Sequence, residues 1–226
     1  MEKYNIAIDG PAGAGKSTIA RRVADALGFV YVDTGAMYRA VTWRVLQQGI
    51  SPADTERVAD ISRNLRLELR PGPEGQQVYA NGEDITGLIR TPEVNANVSD
   101  VAKIREVREQ LVRKQKEMTA AKGVVMDGRD IGTHVIPDAE VKVFLTASPR
   151  VRAERRFHEM KDSQPGLTIE QLEQDIARRD KIDEEREVSP LMRAPDAVLI
   201  DSTNLTIPEV VERILELCRA KAPGGT

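Results

Sequence analysis

Residues 10–17 read GPAGAGKS, and glycines at that spacing ahead of Lys16 and Ser17 suit one kind of chemistry. To hold a phosphate chain, a loop must turn several backbone N–H groups onto the same oxygens. Side chains must be missing where it wraps closely, and Gly10, Gly13 and Gly15 leave that room. Lys16 then reaches the β- and γ-phosphates, and the Ser17 hydroxyl can ligate Mg2+. A helix opening at Lys16 directs the positive end of its dipole at the anion. The pattern fits G-x-x-x-x-G-K-[ST], follows an apolar run and opens an amphipathic one, which is the context that gives it meaning. Pro11, Ala12, Ala14 and Thr18 complete the stretch expected to bind a nucleoside triphosphate.

Two further segments carry charge to useful places. Residues 124–132, VVMDGRDIG, put Asp127, Arg129 and Asp130 after a buried apolar run, and residues 32–39, VDTGAMYR, do the same with Asp33, Thr34 and Arg39. In open α/β sheets, ligands bind at the carboxyl ends of strands. Asp33 and Asp127 therefore belong on the edge that holds the phosphate loop. For VVMDGRDIG the alternative is a loop closed on itself by an Arg129–Asp130 ion pair.

Arg39, Arg108, Arg129, Arg152, Arg155, Arg156, Arg179 and Arg186 start or flank helical segments that follow strand ends. Each alone could be a solvated helix residue. Together with a phosphate loop they match a site that neutralises several phosphates through planar bidentate forks. Hydrolysis needs a residue to orient water. Transfer to an acceptor that is already anionic needs only charge neutralisation, in-line alignment and exclusion of water. Many arginines, and no obvious water-positioning glutamine, favour transfer over a nucleotide switch.

The elements that must position these groups alternate along the chain. Residues 4–8, 29–32, 124–126, 141–145 and 197–200 are short apolar runs without polar alternation, as in a parallel sheet covered on both faces. Helices are expected over 16–27, 35–47, 99–121, 149–161, 168–186 and 206–221. Ser51–Pro52 reads as another helix start, while Thr168 with Gln171 and Thr206 with Glu209 form capping-box patterns. Residues 65–86 break the rhythm with LRLEL alternation, a Pro/Gly turn and an Asn-Gly turn, which predicts a small antiparallel meander inserted in the α/β core. DSQPG at 162–166 reads as a hinge between two charged helices.

Bulk properties narrow the class. The 226 residues carry a net charge of −3 from 33 basic and 36 acidic side chains, which argues against a general nucleic-acid or anionic-membrane binder. One cysteine, Cys218, rules out an internal disulfide and falls in an apolar helical stripe as core filler. Two histidines argue against a His-based zinc site. No apolar run approaches the roughly 20 residues that span a bilayer, and the first residues enter a strand pattern without a signal-peptide pattern. A cytoplasmic, monomeric protein is expected.

Taken together, IAIDGPAGAGKST, YVDTGAMYRA, NVSDVAKIREVREQL, DGRDIGTHVIPDA, VRAERR and RRDKIDEER closely resemble the bacterial cytidylate kinases, over nearly the whole chain and in the same order. The resemblance implies an α/β P-loop NTPase-type three-layer core with a five-stranded parallel sheet, built from about 1–35, 100–150 and 168–226. It adds an acceptor-binding insert holding the meander, about 36–99, and a helical lid, about 151–167. It implies ATP with Mg2+ as donor and CMP or dCMP as acceptor. The acceptor would be bound by Thr34, Arg39, Ser99, Arg108, Arg129, Asp130, Arg179, Asp183 and Arg186. Lys16, Arg129 and the lid arginines Arg152, Arg155 and Arg156 would act on the transferring phosphoryl group, with Ser17, Asp33 and Asp127 around the metal. Thr34 stands where many members have Ser, and Ser17 where some have Gly. Runner-up acceptors are UMP, AMP or a CoA precursor.

Overall fold

The computed structural model describes residues 3–73, 75–162 and 164–221. Five strands, β1 (Asn5–Asp9), β2 (Val30–Asp33), β6 (Val124–Gly128), β7 (Val141–Thr146) and β8 (Val198–Asp201), make one parallel sheet in the order β2-β6-β1-β7-β8. β1 is central and buried throughout, which is why its sequence reads apolar without alternation. Side chains still alternate between faces. Ile6, Ile8 and Val125 pack with α1 (Lys16–Leu27) and α8 (Ile207–Lys221), while Ala7, Val124 and Met126 face Ile131, Val135 and Ile136. Cys218 is buried in the first of these layers, as its stripe predicts.

Gly10 carries β1 into the phosphate loop. Its φ is +153°, and a Cβ there would lie 1.9 Å from the carbonyl oxygen of Leu145 on β7. Only glycine lets the two strands stay adjacent at this turn.

The segment expected as an insert follows β2. Helix α2 (Thr34–Gln47) starts at the strand's end, capped by the Asp33 carboxylate, which accepts from the N–H of Ala36 at 2.9 Å. Helix α3 (Thr55–Asn64) is capped by Asp54 and not by Ser51. The Ser51 hydroxyl accepts from Ala53 N–H in a local turn instead, a competing use of the same hydroxyl. The meander forms as β3 (Leu67–Gly72), β4 (Gly75–Ala80) and β5 (Glu83–Asp84), with Asn81 and Gly82 both at positive φ in the turn. That is the two-residue turn an Asn-Gly pair favours.

The helix expected over 99–121 is two helices, α4 (Pro92–Ala102) and α5 (Arg105–Thr119). Ile104 is extended at the break and buried in the apolar cluster shared by α2, α4 and α5. Burial of one isoleucine thus overrides a helix-compatible sequence. The break also sets Ser99 and Arg108 beside the same cavity.

Helices α6 (Pro149–Met160) and α7 (Ile169–Glu185) pack through Ala153, Leu172 and Ile176. Thr168 and Gln171 complete the expected capping box, and Thr206 with Glu209 exchange their backbone and side-chain contacts as expected. Ser163, inside the expected hinge, lies outside the described residues. Among the described residues, no helix is long and apolar enough to cross a membrane.

Candidate active site

The phosphate loop lies where its spacing places it, between β1 and the first turn of α1. Gly15, in the left-handed region, caps that helix without a side-chain acceptor, so its first N–H groups stay available to an anion. Lys16 is buried and donates to the carbonyl oxygen of Pro11 at 2.8 Å. Burial, reinforced by the Arg129 charge, pushes its ammonium down to about 7. A polyanion in the loop would reverse that shift, because an opposite charge favours the charged form.

Residues 12–18 line a cavity of about 590 Å³ together with Asp33, Asp127, Arg155 and Arg156. That volume is in the usual range of small-molecule sites. Leu205, Ile207 and Val210 add apolar groups to its lining, which also includes His158 and Glu159. Gly10 and Pro11 shape the loop without lining the cavity.

Beside the loop, the Ser17 hydroxyl donates to Asp127 Oδ2 at 3.1 Å, and the Tyr31 hydroxyl donates to Asp127 Oδ1 at 2.8 Å. Burial and the neighbouring Asp33 charge raise the Asp127 carboxyl to about 7. Asp33 is held as well: it caps α2 and accepts from Arg90 at 2.9 Å. Tyr31 and Arg90 carry no motif that announces them in the sequence.

All nine residues expected to bind the acceptor, Thr34, Arg39, Ser99, Arg108, Arg129, Asp130, Arg179, Asp183 and Arg186, line one second cavity. Arg108 is fully buried. Its Nη2 donates to Asp130 at 2.6 Å, its Nη1 donates to Ala102 O at 3.0 Å, and its guanidinium lies 5.0 Å from the Tyr38 ring centroid. Among the described residues, the buried Nε groups of Arg108 and Arg179 meet no hydrogen-bond partner. Buried polar groups are costly unless satisfied, so these are groups a ligand or water would meet.

Arg129 pairs with Asp183 at 2.9 Å, and the Arg129–Asp130 pair does not form. The two are neighbours in a bend just past the end of β6, where Asp130, at φ −138° and ψ 24°, opens the short helical turn that follows, and their side chains reach different elements. Asp130 turns to Arg108 and Arg129 to α7. Arg186 lies between, 3.9 Å from Asp130 and 3.7 Å from Asp183, with its fork on Ser189 O. The result is a chain of alternating charge: Arg108, Asp130, Arg186, Asp183, Arg129. Although burial alone would raise it, Asp183 is held below the usual carboxylate range by Arg129 and Arg186.

The two cavities share Arg39, Arg129 and Arg179 with Gly35 and Gly128. Burial and the Arg179 charge push Arg39 down to about 9, and burial and the Arg129 charge push Arg179 down to about 10. Cations crowded against their own charge where two cavities meet offer a phosphate complementary charge and planar donors.

The three arginines expected on the lid divide. Arg155 reaches Ser202 through both its hydroxyl and its carbonyl oxygen, and Arg156 pairs with Glu159 at 3.3 Å; both line the loop cavity. Arg152 does not, which departs from the expectation that it acts on the transferring group. Its guanidinium is buried and donates to Ala147 O, Ala12 O and Asp180. Asp9 was also not foreseen. It is buried, accepts from the N–H groups of Ile131 and Gly132 at 2.8 and 2.7 Å, and fixes the short π-helical turn Ile131–Val135 behind Asp130.

Comparison with known proteins fits this geometry. A family model described as "Cytidylate kinase" matches residues 6–220. The chain is 52% identical over 223 residues to a cytidylate kinase of Anoxybacillus flavithermus, covering 99% of each chain. It is 51% identical over 216 residues to one of Bacillus cereus, covering 96% of each. In fold it is similar to a gluconokinase from Sinorhizobium meliloti, with a TM-score of 0.50, 17% identity, and coverage of 97% of this chain and 94% of that one. With the loop, the paired cavities and this likeness along its whole length, the chain belongs to the cytidylate kinase family.

Proposed function

We propose that this chain transfers the γ-phosphoryl group of ATP to CMP, and to dCMP, giving ADP and the nucleoside diphosphate. One observation carries the reading: a phosphate-loop cavity and a polar acceptor cavity meet at three crowded arginines.

The acceptor phosphate is anionic at neutral pH, so no general base is required. Arg39, Arg129 and Arg179 take that phosphate and align its oxygen with the γ-phosphorus. Lys16 and the loop N–H groups hold the donor phosphates. Arg155 and Arg156 approach the γ-phosphoryl from α6, stabilising charge and excluding water, which limits wasteful hydrolysis. The donor base lies against Leu205, Ile207 and Val210.

For the acceptor base, cytosine offers an N4 amino donor beside the N3 acceptor. Asp130 accepts from N4, while Arg108, helped by Ser99, donates to the acceptor edge. Uracil reverses that edge and would set O4 against a carboxylate. Asp183 accepts from the sugar hydroxyls, and Thr34 and Arg186 close the cavity around the nucleotide.

The donors near the loop suit Mg2+. Ser17, Asp33 and Asp127 offer oxygen alone, the choice of a hard cation, and the raised carboxyl of Asp127 marks a place short of positive charge. Among the described residues there is no cluster of three or more His, Cys, Asp or Glu able to hold a metal by itself, which suits an ion carried in with the triphosphate. Ser17, Asp33 and Asp127 would hold it, and when bound it would supply charge neutralisation on the phosphates. The protein works as a monomer in the cytoplasm.

The test is ADP release measured with CMP, dCMP, UMP and AMP in turn. Release that depends on CMP or dCMP is expected. Equal release with and without any monophosphate would refute phosphoryl transfer, and a preference for UMP or AMP would refute the base assignment.

A further inference from the structure

Arg152 and Asp180 hold the outer side of the phosphate loop, and their contacts fall on one residue. Asp180 Oδ1 accepts from the N–H of Ala12 at 3.3 Å, and Arg152 Nη1 donates to the carbonyl oxygen of Ala12 at 2.9 Å. The two side chains pair with each other at 2.7 Å. Gly13, next along the loop, lies directly on them: a Cβ there would come within 3.3 Å of Arg152 and 3.5 Å of Ile176 on α7.

Peptide geometry turns these contacts into a rule for the loop's inner side. No peptide bond here is cis, and in a trans peptide the C=O and the following N–H point in opposite directions. With Ala12 N–H drawn outward to Asp180, the Pro11 carbonyl must point inward. It does, accepting from Lys16 Nζ. With the Ala12 carbonyl drawn outward to Arg152, the Gly13 N–H must point inward, toward the cavity that Gly13 lines. Asp180 also follows Arg179 and shares α7 with Asp183, both of which line the acceptor cavity. One helix therefore holds the loop with one face and the acceptor site with the next.

We propose that Arg152 and Asp180 are positioning residues that set the peptide planes of the phosphate loop, orienting Pro11 O toward Lys16 and Gly13 N–H toward the donor phosphates. The proposal rests on the kinase reading only in that the donor is a nucleotide with at least two phosphates. It removes Arg152 from direct action on the γ-phosphoryl group.

The experiment is calorimetric titration of the full chain and of Asp180→Asn and Arg152→Lys, with MgADP alone and with CMP alone, plus thermal melts. Each variant should weaken MgADP about tenfold or more, the size of a lost hydrogen bond to a charged group. CMP affinity should change less than about twofold, and both variants should melt cooperatively. Unchanged MgADP affinity in both folded variants would overturn the proposal. Equal loss of both ligands would also overturn it, by showing a general packing role. If Arg152→Lys does not fold, Asp180→Asn, of equal size, decides alone. Turnover of the unaltered chain with CMP is recorded in the same series. Its absence would sink the kinase reading, while the MgADP titrations still judge the loop.

Discussion

Asp130→Asn separates base recognition from everything else in the site. The substitution keeps size and shape, and exchanges a carboxylate that accepts from Arg108 at 2.6 Å for an amide. Both side chains are almost fully buried, at 4% and 2% exposure. Removing a partner from such a pair costs about 3–5 kcal/mol, and the amide, which can still accept one hydrogen bond, should lie near the lower figure. A domain with a typical stability of about 5–15 kcal/mol stays folded through that loss. In the reaction, cytosine N4 loses its acceptor. One base-edge contact is worth about 1–3 kcal/mol, so kcat/KM for CMP should fall about 5- to 150-fold at 1.36 kcal/mol per decade. UMP should lose less or gain, because the amide N–H can donate to O4. The assay is initial ADP release with CMP and UMP across their concentration ranges at saturating ATP, together with KM for ATP. A parallel fall for CMP and UMP, or a matching rise in KM for ATP, would refute Asp130 as the reader of the base.

Two other outcomes follow from buried groups near the loop. Burial, helped by the Asp130 charge, raises the Asp9 carboxyl from 3.8 to about 6. Between those values the unfolded chain binds fewer protons than the folded one, so the stability that protonated Asp9 contributes is fully present below 3.8, is lost as pH rises through 6, and amounts to about 3 kcal/mol. Asp9→Asn should flatten that slope, and denaturant titrations at pH 4, 5, 6 and 7 that show equal slopes would count against it. Gly10→Ala sets a Cβ 1.9 Å from Leu145 O, and a loss of more than about 3 kcal/mol is expected because backbone must move; a thermal midpoint within a few degrees of the original would disprove the close packing of β1 and β7.

Some of this architecture is plain in the sequence, and some could not be. The five strands read as unbroken apolar runs because both faces of the sheet are covered, and LRLEL reads as an alternating strand because the meander has one buried face. The nine residues expected to bind the acceptor can be listed from the sequence because the family resemblance fixes positions that lie far apart in the chain, and they line one cavity. The break at Lys103–Ile104 stays hidden, since nothing local opposes a helix there and the cause is the burial of Ile104. Arg152 misleads for a related reason: its spacing to Arg155 and Arg156 is helical, but Arg152 lies against the loop and α7 while the others face the cavity. Asp9, Tyr31 and Asp180 act through partners more than 90 positions away, and no spacing rule reaches that far.

On the proposed function, the alternating charges from Arg108 to Arg129 also make recognition of a nucleotide indivisible. Asp183 is occupied by Arg129 until a phosphate competes for that guanidinium, and Asp130 is occupied by Arg108 until a base edge joins the pair. Sugar, phosphate and base therefore meet groups already engaged with one another, and each fragment releases what the next one needs. Contributions in one network of this kind do not add. Cytidine and inorganic phosphate offered as separate molecules would each meet a closed circuit, and CMP binds better than their sum because one molecule opens it at both ends.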